Sequence, residues 1–413
     1  MASATANVDS ELSLYHRLDP ETLANPYPLY RRLREEDPVH WDPYLHAWVL
    51  TRYDDVLYAV QRFSSERSPT PEQLTAYGLE ELNPVAQVLT RQMIFRDPPA
   101  HTRIRALAAA VFTPARVAAL RAHIQKITDT LIDTVAPGGR MDVVADLAEL
   151  LPAIVTAELM GVPAKDRDWL KRLSIQFSEL LGNFQHDPDR VHVMIEVTEE
   201  LTAYFRDRLG EHETEPRSVI DSFRTAEVDG DRLSEEEIVA NCIITLVGGL
   251  ETTTSLIGNA VLTLLQHPDD FKELREDPSL LNGAIEETLR FESPVQHTVR
   301  LAPGDVELSS KRIRKRDAVI TVLGAANRDP ARFPNPDAFD LRRGDDRHLA
   351  FAWGPHYCFG AALARAEAQV SLSTVLRRLK NLALEPGPLR WRRNMTFRGL
   401  EKLSVTFDPV DAA

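Results

Sequence analysis

The sequence predicts a mainly α fold with a small β region. Three observations carry this. Apolar residues return every three or four positions through roughly Pro114–Val135, Leu147–Met160, Ala164–Leu181, Val191–Arg208 and Ser234–Gln266, the period that gives a helix one buried face. The strand-like runs are short, Ala47–Leu50, Ala318–Val322 and Leu403–Phe407, and too few for a large sheet. No internal repeat or low-complexity linker divides the chain, so a single domain over residues 15–413 is the simpler organisation.

In chain order, residues 1–14 are small and polar and read as a disordered lead-in, without a charged-then-apolar signal peptide. Asn25-Pro26-Tyr27-Pro28 opens a helix that continues through Leu29 and Leu33. Ala47–Leu50 follows as a strand, and Tyr53-Asp54-Asp55-Val56 begins the next helix. His101 to Phe112 is helical until Pro114 interrupts it. Pro294 to Gly360 is loop-rich, full of turn signals and charges that look structural, around the strand-like run Ala318–Val322.

Composition excludes several classes. With 43% hydrophobic and 27% charged residues over 413 positions, the chain is an ordinary globular protein large enough for a deep core. A net charge of −14 argues against a nucleic-acid footprint. The apolar runs fall short of the ~18 residues of a membrane span, so a soluble, cytoplasmic protein is expected. Two cysteines, Cys242 and Cys358, rule out a disulfide framework. Cys242 sits in the apolar helical run Ile243-Ile244-Thr245-Leu246 and reads as core.

Cys358 lies in Phe351-Ala352-Trp353-Gly354-Pro355-His356-Tyr357-Cys358-Phe359-Gly360. This segment resembles the haem-binding loop of the cytochrome P450 family, Phe-x-x-Gly-x-x-x-Cys-x-Gly, with Ala352 where the family usually has glycine. A lone buried cysteine beside two turn glycines would be the plainer reading, but four fixed residues fall at the right offsets. The resemblance implies haem b with Cys358 as the iron ligand. A cysteine thiolate pushes electron density onto haem iron and favours O–O cleavage, as in cytochromes P450 generally. Backbone N–H groups of Phe359 and Gly360, and the dipole of a helix starting near Ala361, are expected to stabilise the thiolate, with Phe351 shielding the sulfur from water.

Gly248-Gly249-Leu250-Glu251-Thr252-Thr253 interrupts a long apolar helix with residues of poor helix propensity. Alone, this is as well read as a tolerated kink as a functional site. It resembles the family's Ala/Gly-Gly-x-Asp/Glu-Thr-Thr. The resemblance implies that Gly248 and Gly249 leave room for dioxygen, Thr252 hydrogen-bonds it, and Glu251 relays protons from solvent. Threonine hydroxyls can bond a carbonyl one turn back and distort the helix locally.

Glu287-Thr288-Leu289-Arg290 places an acid and a base on one helix face, a weak signal alone. The family has Glu-x-x-Arg here and pairs it with a later arginine, matched by Arg343, with Arg342 as the competing choice. These would be structural, holding the cysteine loop. By the same resemblance His101, Arg105, Arg300 and His356 would bind the haem propionates, a role that suits Arg because it grips a carboxylate bidentately.

The resemblance runs from Asn25 to the C-terminal strand and implies the family fold, a triangular α-helical prism with a small β region. It implies a monooxygenase that inserts one atom of O2 into a lipophilic small molecule, by hydroxylation or epoxidation. Electrons would come from NAD(P)H through a separate ferredoxin reductase and ferredoxin, since no second cysteine cluster exists for an iron–sulfur centre. An acidic ferredoxin would want a basic patch near the cysteine, with Arg62, Arg67, Arg103, Arg347 and Arg365 as candidates. Pocket walls would come from the Thr75–Phe95 loop, the helices between Trp169 and Phe205, the oxygen helix, the Arg290–Arg300 segment and the C-terminal turn. Candidate linings are Met93, Ile94, Leu180, Phe184, Val247, Val295, Gln296, Thr396 and Phe397, each equally readable as ordinary core. A natural product (polyketide or macrolide, terpenoid or peptide), free or tethered to a carrier protein, is the expected substrate, with fatty acids and steroids as runners-up. A peroxide-dependent or non-redox haem enzyme, or a non-catalytic haem-binding partner protein, would have less use for Glu251 and Thr252.

Overall fold

The computed structural model describes residues 12–183, 190–211, 218–228 and 230–410. Its centre is one helix, Glu235–Gln266, about 48 Å long at 1.5 Å per residue. Ser234 starts it with a capping box: the Ser234 hydroxyl accepts from Glu237 N–H at 3.2 Å, and the Glu237 carboxylate accepts from Ser234 N–H at 2.9 Å. Helices Leu150–Met160, Arg167–Asn183, Val191–Gly210 and Ala361–Arg378 pack around it. By length and composition the central helix could cross a membrane, against the expectation from sequence. Yet 72% of its most apolar 18-residue window is buried in the protein. A helix surrounded by others is apolar all round for that reason.

The expected helices form with small shifts at their ends. Pro114–Val135 is capped by the Thr113 hydroxyl, which accepts from Arg116 N–H. Beside the helices lies a four-stranded sheet. Val39–Asp42 pairs antiparallel with Ala47–Leu50, which pairs parallel with Ala318–Thr321, and Thr298–Leu301 lies antiparallel on the far edge. Ser404–Thr406 lies between Arg140–Asp142 and Ala383–Leu384 in a second, smaller sheet.

Two expectations need correction here. Residues 1–11 lie outside the described residues, but Leu12, Ser13 and Leu14 are buried and ordered. The Ser13 hydroxyl and Leu14 N–H both bind the Asp42 carboxylate at 2.9 Å, so these three residues belong to the fold. The Pro294–Gly360 stretch holds the expected strand as Ala318–Thr321 and three more that were not expected: Thr298–Leu301, Val306–Leu308 and Lys311–Ile313. The last two form a hairpin turned by Ser309 and Ser310, both at positive φ. Such turns normally announce themselves with Asn-Gly; two serines give no such signal.

Candidate active site

The cysteine loop is shaped by its backbone. Cys358 N–H donates to the Phe351 carbonyl at 2.9 Å, Tyr357 N–H to Gly354 at 3.1 Å and Ala352 N–H to Leu349 at 2.8 Å. Gly354 has φ +76°, and a Cβ there would come within 3.3 Å of the Gln61 backbone, so the position demands glycine. Gly360 does not: its φ of −90° is open to any residue. The N–H groups that favour the thiolate are those of Gly360 and Ala361, one position further on than Phe359 and Gly360, and Ala361 N–H also donates to the Cys358 carbonyl at 3.4 Å. The helix Ala361–Arg378 begins there, so its positive end faces the sulfur. Burial pushes the Cys358 thiol up, while these two N–H groups and the cations Arg105 and Arg365 pull it down.

Ala352 stands at φ +55°. A side chain in that region costs about 1–2 kcal/mol, and glycine costs about 0.5–1 kcal/mol in unfolded-chain entropy. Ala352→Gly is therefore expected to stabilise the protein by about 0.5–1 kcal/mol. Thermal unfolding would show this as a rise of about 0.5–1 °C; a fall would mean the alanine methyl makes a contact worth more than the strain.

Beside the loop lies a cluster of bases. His101 and Arg300 are 1% and 3% exposed. The His101 and His356 rings are 4.1 Å apart, and Arg105 lies over Phe359. Arg67, expected on a docking surface, belongs to this cluster, its guanidinium 4.4 Å above Phe95. Burial first, then Arg300, His101, Arg67 and Arg105, push His356 down to about 3. Burial likewise lowers Arg300 to about 10 and Arg67 to about 9. His101 Nδ1 and Arg300 Nε are buried without a hydrogen-bond partner. Crowded cations with orphaned nitrogens call for anions, and the two propionates of haem fit. No sequence signal placed Arg67 here, because no motif surrounds it.

On the central helix, Thr252 Oγ1 donates to the Gly248 carbonyl at 2.8 Å. The backbone nonetheless stays α-helical through the motif. The glycines differ. A Cβ on Gly248 would meet nothing within 4 Å, whereas one on Gly249 would come within 2.7 Å of Thr156 Oγ1. Gly248 borders open space; Gly249 lets helix Leu150–Met160 pack close. Glu251 is 6% exposed. Arg392 Nη1 donates to both its oxygens, at 2.9 and 3.1 Å, and Arg392 Nη2 to Glu149, which Lys171 also holds at 2.7 Å. Burial raises the Glu251 pKa, Arg392 lowers it and Glu149 raises it, with a net rise.

Glu287 is bound by Arg290 through two contacts of 2.7 Å and by Arg343 Nε at 3.0 and 3.1 Å. The competing Arg342 instead pairs with Glu273. Arg290 is fully buried and also donates to the carbonyls of Asn327, Pro336 and Ala338, the saturation a buried charge requires.

Of the candidate linings, Met93 and Val247 are buried, and Val295 bridges to Phe397. Thr396 Oγ1 lies 3.3 Å from His297 Nε2, a polar neighbour missed in the sequence. Ile94 is 38% exposed. Gln296 is a correction: its amide accepts from Tyr30 OH and donates to the Ser293 carbonyl, so it is locked in the core between helix and sheet. Phe184 and the Leu180 side chain lie outside the described residues. The basic patch also needs correction. Arg103 is tied to Asp231 and Glu237, Arg347 to Asp345 and Arg365 to Glu286, and Arg62 lies over Tyr58. Those carboxylates cancel the local charge. A cleft of about 610 Å³, walled by Glu72, Arg91, Arg96 and Glu237 among others, takes Gln87, Thr90 and Arg91 from the Thr75–Phe95 segment but none of the single residues nominated above for haem or substrate.

A thiol under two N–H groups, beside an anion-seeking basic cluster, is the frame of a protein that holds haem through a cysteine thiolate. The family model for Cytochrome P450 matches residues 169–390. The chain is 36% identical over 392 residues to the "Biotin biosynthesis cytochrome P450" of Bacillus subtilis, covering 94% of this chain and 98% of that one. It is 39% identical over 401 residues to "Cytochrome P450 monooxygenase PikC" of Streptomyces venezuelae, covering 94% and 92%. A crystal structure of P450BioI in complex with hexadec-9Z-enoic acid ligated acyl carrier protein superposes with a TM-score of 0.88 at 36% identity, covering 94% of this chain and 99% of that one. The chain belongs to the cytochrome P450 family. It is an oxygen-incorporating oxidoreductase with haem b as its cofactor.

Proposed function

We propose that this monooxygenase hydroxylates or epoxidises a lipophilic natural product, with electrons from a ferredoxin and its reductase. The observation that carries this is the setting of Glu251. An enzyme that reduces O2 must deliver protons to it, and here an acid whose pKa burial raises stands next to Thr252, held in place by Arg392. A peroxide-driven or non-redox enzyme has no use for that supply.

Haem, when bound, supplies the activation of O2 and the transfer of one oxygen atom, the other leaving as water. Cys358 Sγ would hold the iron, with the Gly360 and Ala361 N–H groups keeping the sulfur charged. His101, Arg105, Arg300, His356 and Arg67 would take the propionates. Thr252 Oγ1 would release the Gly248 carbonyl and donate into the site, and Glu251 would carry the proton that replaces the one given up. Met93, Val247, Val295 and Phe397 give an apolar wall, which suits a polyketide, macrolide, terpenoid or acyl chain. Carrier-tethered delivery is supported by the relative whose structure holds an acylated carrier protein. The chain from Leu12 onward acts as one haem domain, soluble in the cytoplasm; burial of the central helix supports this.

The test is an optical titration of haem-loaded protein with macrolactones, sterols and long-chain acids, and with the same acyl groups on a carrier protein. One class is expected to shift the Soret band to the blue, and O2 uptake with that class should need NAD(P)H, reductase and ferredoxin. Equal product from hydrogen peroxide alone would overturn the ferredoxin-driven reading.

A further inference from the structure

Glu286 and Glu287 are neighbours on the helix Leu281–Phe291, so their side chains leave it about 100° apart. Glu287 collects Arg290 and Arg343. Glu286 collects a separate set. Arg365, on the helix after the cysteine, donates Nε to Glu286 Oε1 and Nη2 to Oε2, both at 2.7 Å, the paired geometry that makes Arg–carboxylate contacts strong and directional. His348 Nδ1 accepts from Ala350 N–H at 3.3 Å, so the neutral ring carries its proton on Nε2 and donates it to Glu286 at 3.0 Å.

The remaining end of Arg365 reaches the cysteine loop. Its Nη1 donates to Tyr357 OH at 3.0 Å, and its guanidinium lies 4.5 Å from the Phe351 ring centroid. Phe351 and Tyr357 also meet edge to face, at 6.3 Å. One arginine therefore grips the residue before Cys358 and the residue whose carbonyl accepts the Cys358 N–H. Its charge also acts on the sulfur.

We propose that Glu286 and Arg365, with His348 and Tyr357, form a positioning clamp that holds the cysteine loop in register with the iron. The clamp also sets how much of a cation's field the thiolate feels. It rests on the reading of Cys358 as the iron ligand. Hydrogen bonds and charges near a ligating sulfur tune both the hold on iron and the reduction potential. Glu286 neutralises Arg365, so the pair moderates that field, and Arg365 fixes the loop.

Three variants of the haem-loaded protein test this. Arg365→Lys keeps the charge but cannot make the forked contacts. Its reduced, CO-bound form is expected to lose the thiolate band about tenfold faster than the parent. Glu286→Gln leaves the Arg365 charge unbalanced. The ratio of reduced to oxidised haem at a fixed donor potential should rise about tenfold, which is about 59 mV for one electron. Tyr357→Phe removes one hydrogen bond without threatening the fold and should lose the band faster than the parent but more slowly than Arg365→Lys. A parent-like band lifetime and potential in all three variants would overturn the clamp. So would a lower melting temperature with unmoved spectra, which is what a merely structural pair would give. A parent protein that itself lacks the thiolate band would instead remove the Cys358 reading, and the clamp with it.

Discussion

Replacing Cys358 with serine is expected to abolish the thiolate signature of the reduced, CO-bound protein and to take turnover to background. Serine keeps the size of the side chain but not a soft anionic donor. The loop itself should survive. Its closing bonds, Cys358 N–H to Phe351 and Tyr357 N–H to Gly354, are made by the backbone, and the Glu286–Arg365 contacts do not involve the sulfur. Circular dichroism of Cys358→Ser should therefore match the parent, and haem should still associate through the basic cluster. Retention of the thiolate band by this variant would sink the ligand assignment, leaving Cys242, buried and inside an apolar helix, as an implausible substitute.

Glu251→Gln is expected to lower kcat by about 10²-fold or more, the scale of general acid–base catalysis, while leaving substrate binding within twofold or so of the parent. Glutamine keeps hydrogen-bonding capacity toward Arg392 but cannot exchange a proton. The companion variant Arg392→Gln reads the electrostatics. Burial already raises the Glu251 pKa and Arg392 opposes that rise. Removing the cation lets the pKa climb further, so the ionisation that governs kcat should move to higher pH. The sign follows from desolvation: a buried carboxyl that loses its cation stays protonated to higher pH. A loss confined to substrate affinity in Glu251→Gln would end its role as relay. An unmoved pH profile in Arg392→Gln would show that Arg392 does not govern it.

Some of this site could be read along the chain. Cys358 and Gly354 lie within one loop, and Glu251 and Thr252 within one helical turn, so the resemblance to the family's motifs could be read from short stretches of chain; without that resemblance, the Gly248–Thr253 run would have stayed as readable as a tolerated kink. The helices were legible from short stretches too. Pro114–Val135 and Ser234–Gln266 carry their own caps and their own apolar period, both of them local. Gln296 misled because a polar residue beside a candidate wall says nothing about which way it points; Tyr30, 266 residues away, decided that.

By itself, then, the sequence determined the helical class and the haem-thiolate family, and it nominated the residues proposed for the chemistry. Each of those signals is written in neighbouring residues. Only the tertiary structure decided what surrounds them: Arg67 among the bases, Gly249 against Thr156, Arg392 on Glu251 across 141 residues of chain, and Arg365 on Glu286 across 79. These contacts join elements that meet through packing. A charged side chain's partner is settled by which opposite charge is buried beside it, and no local spacing encodes that.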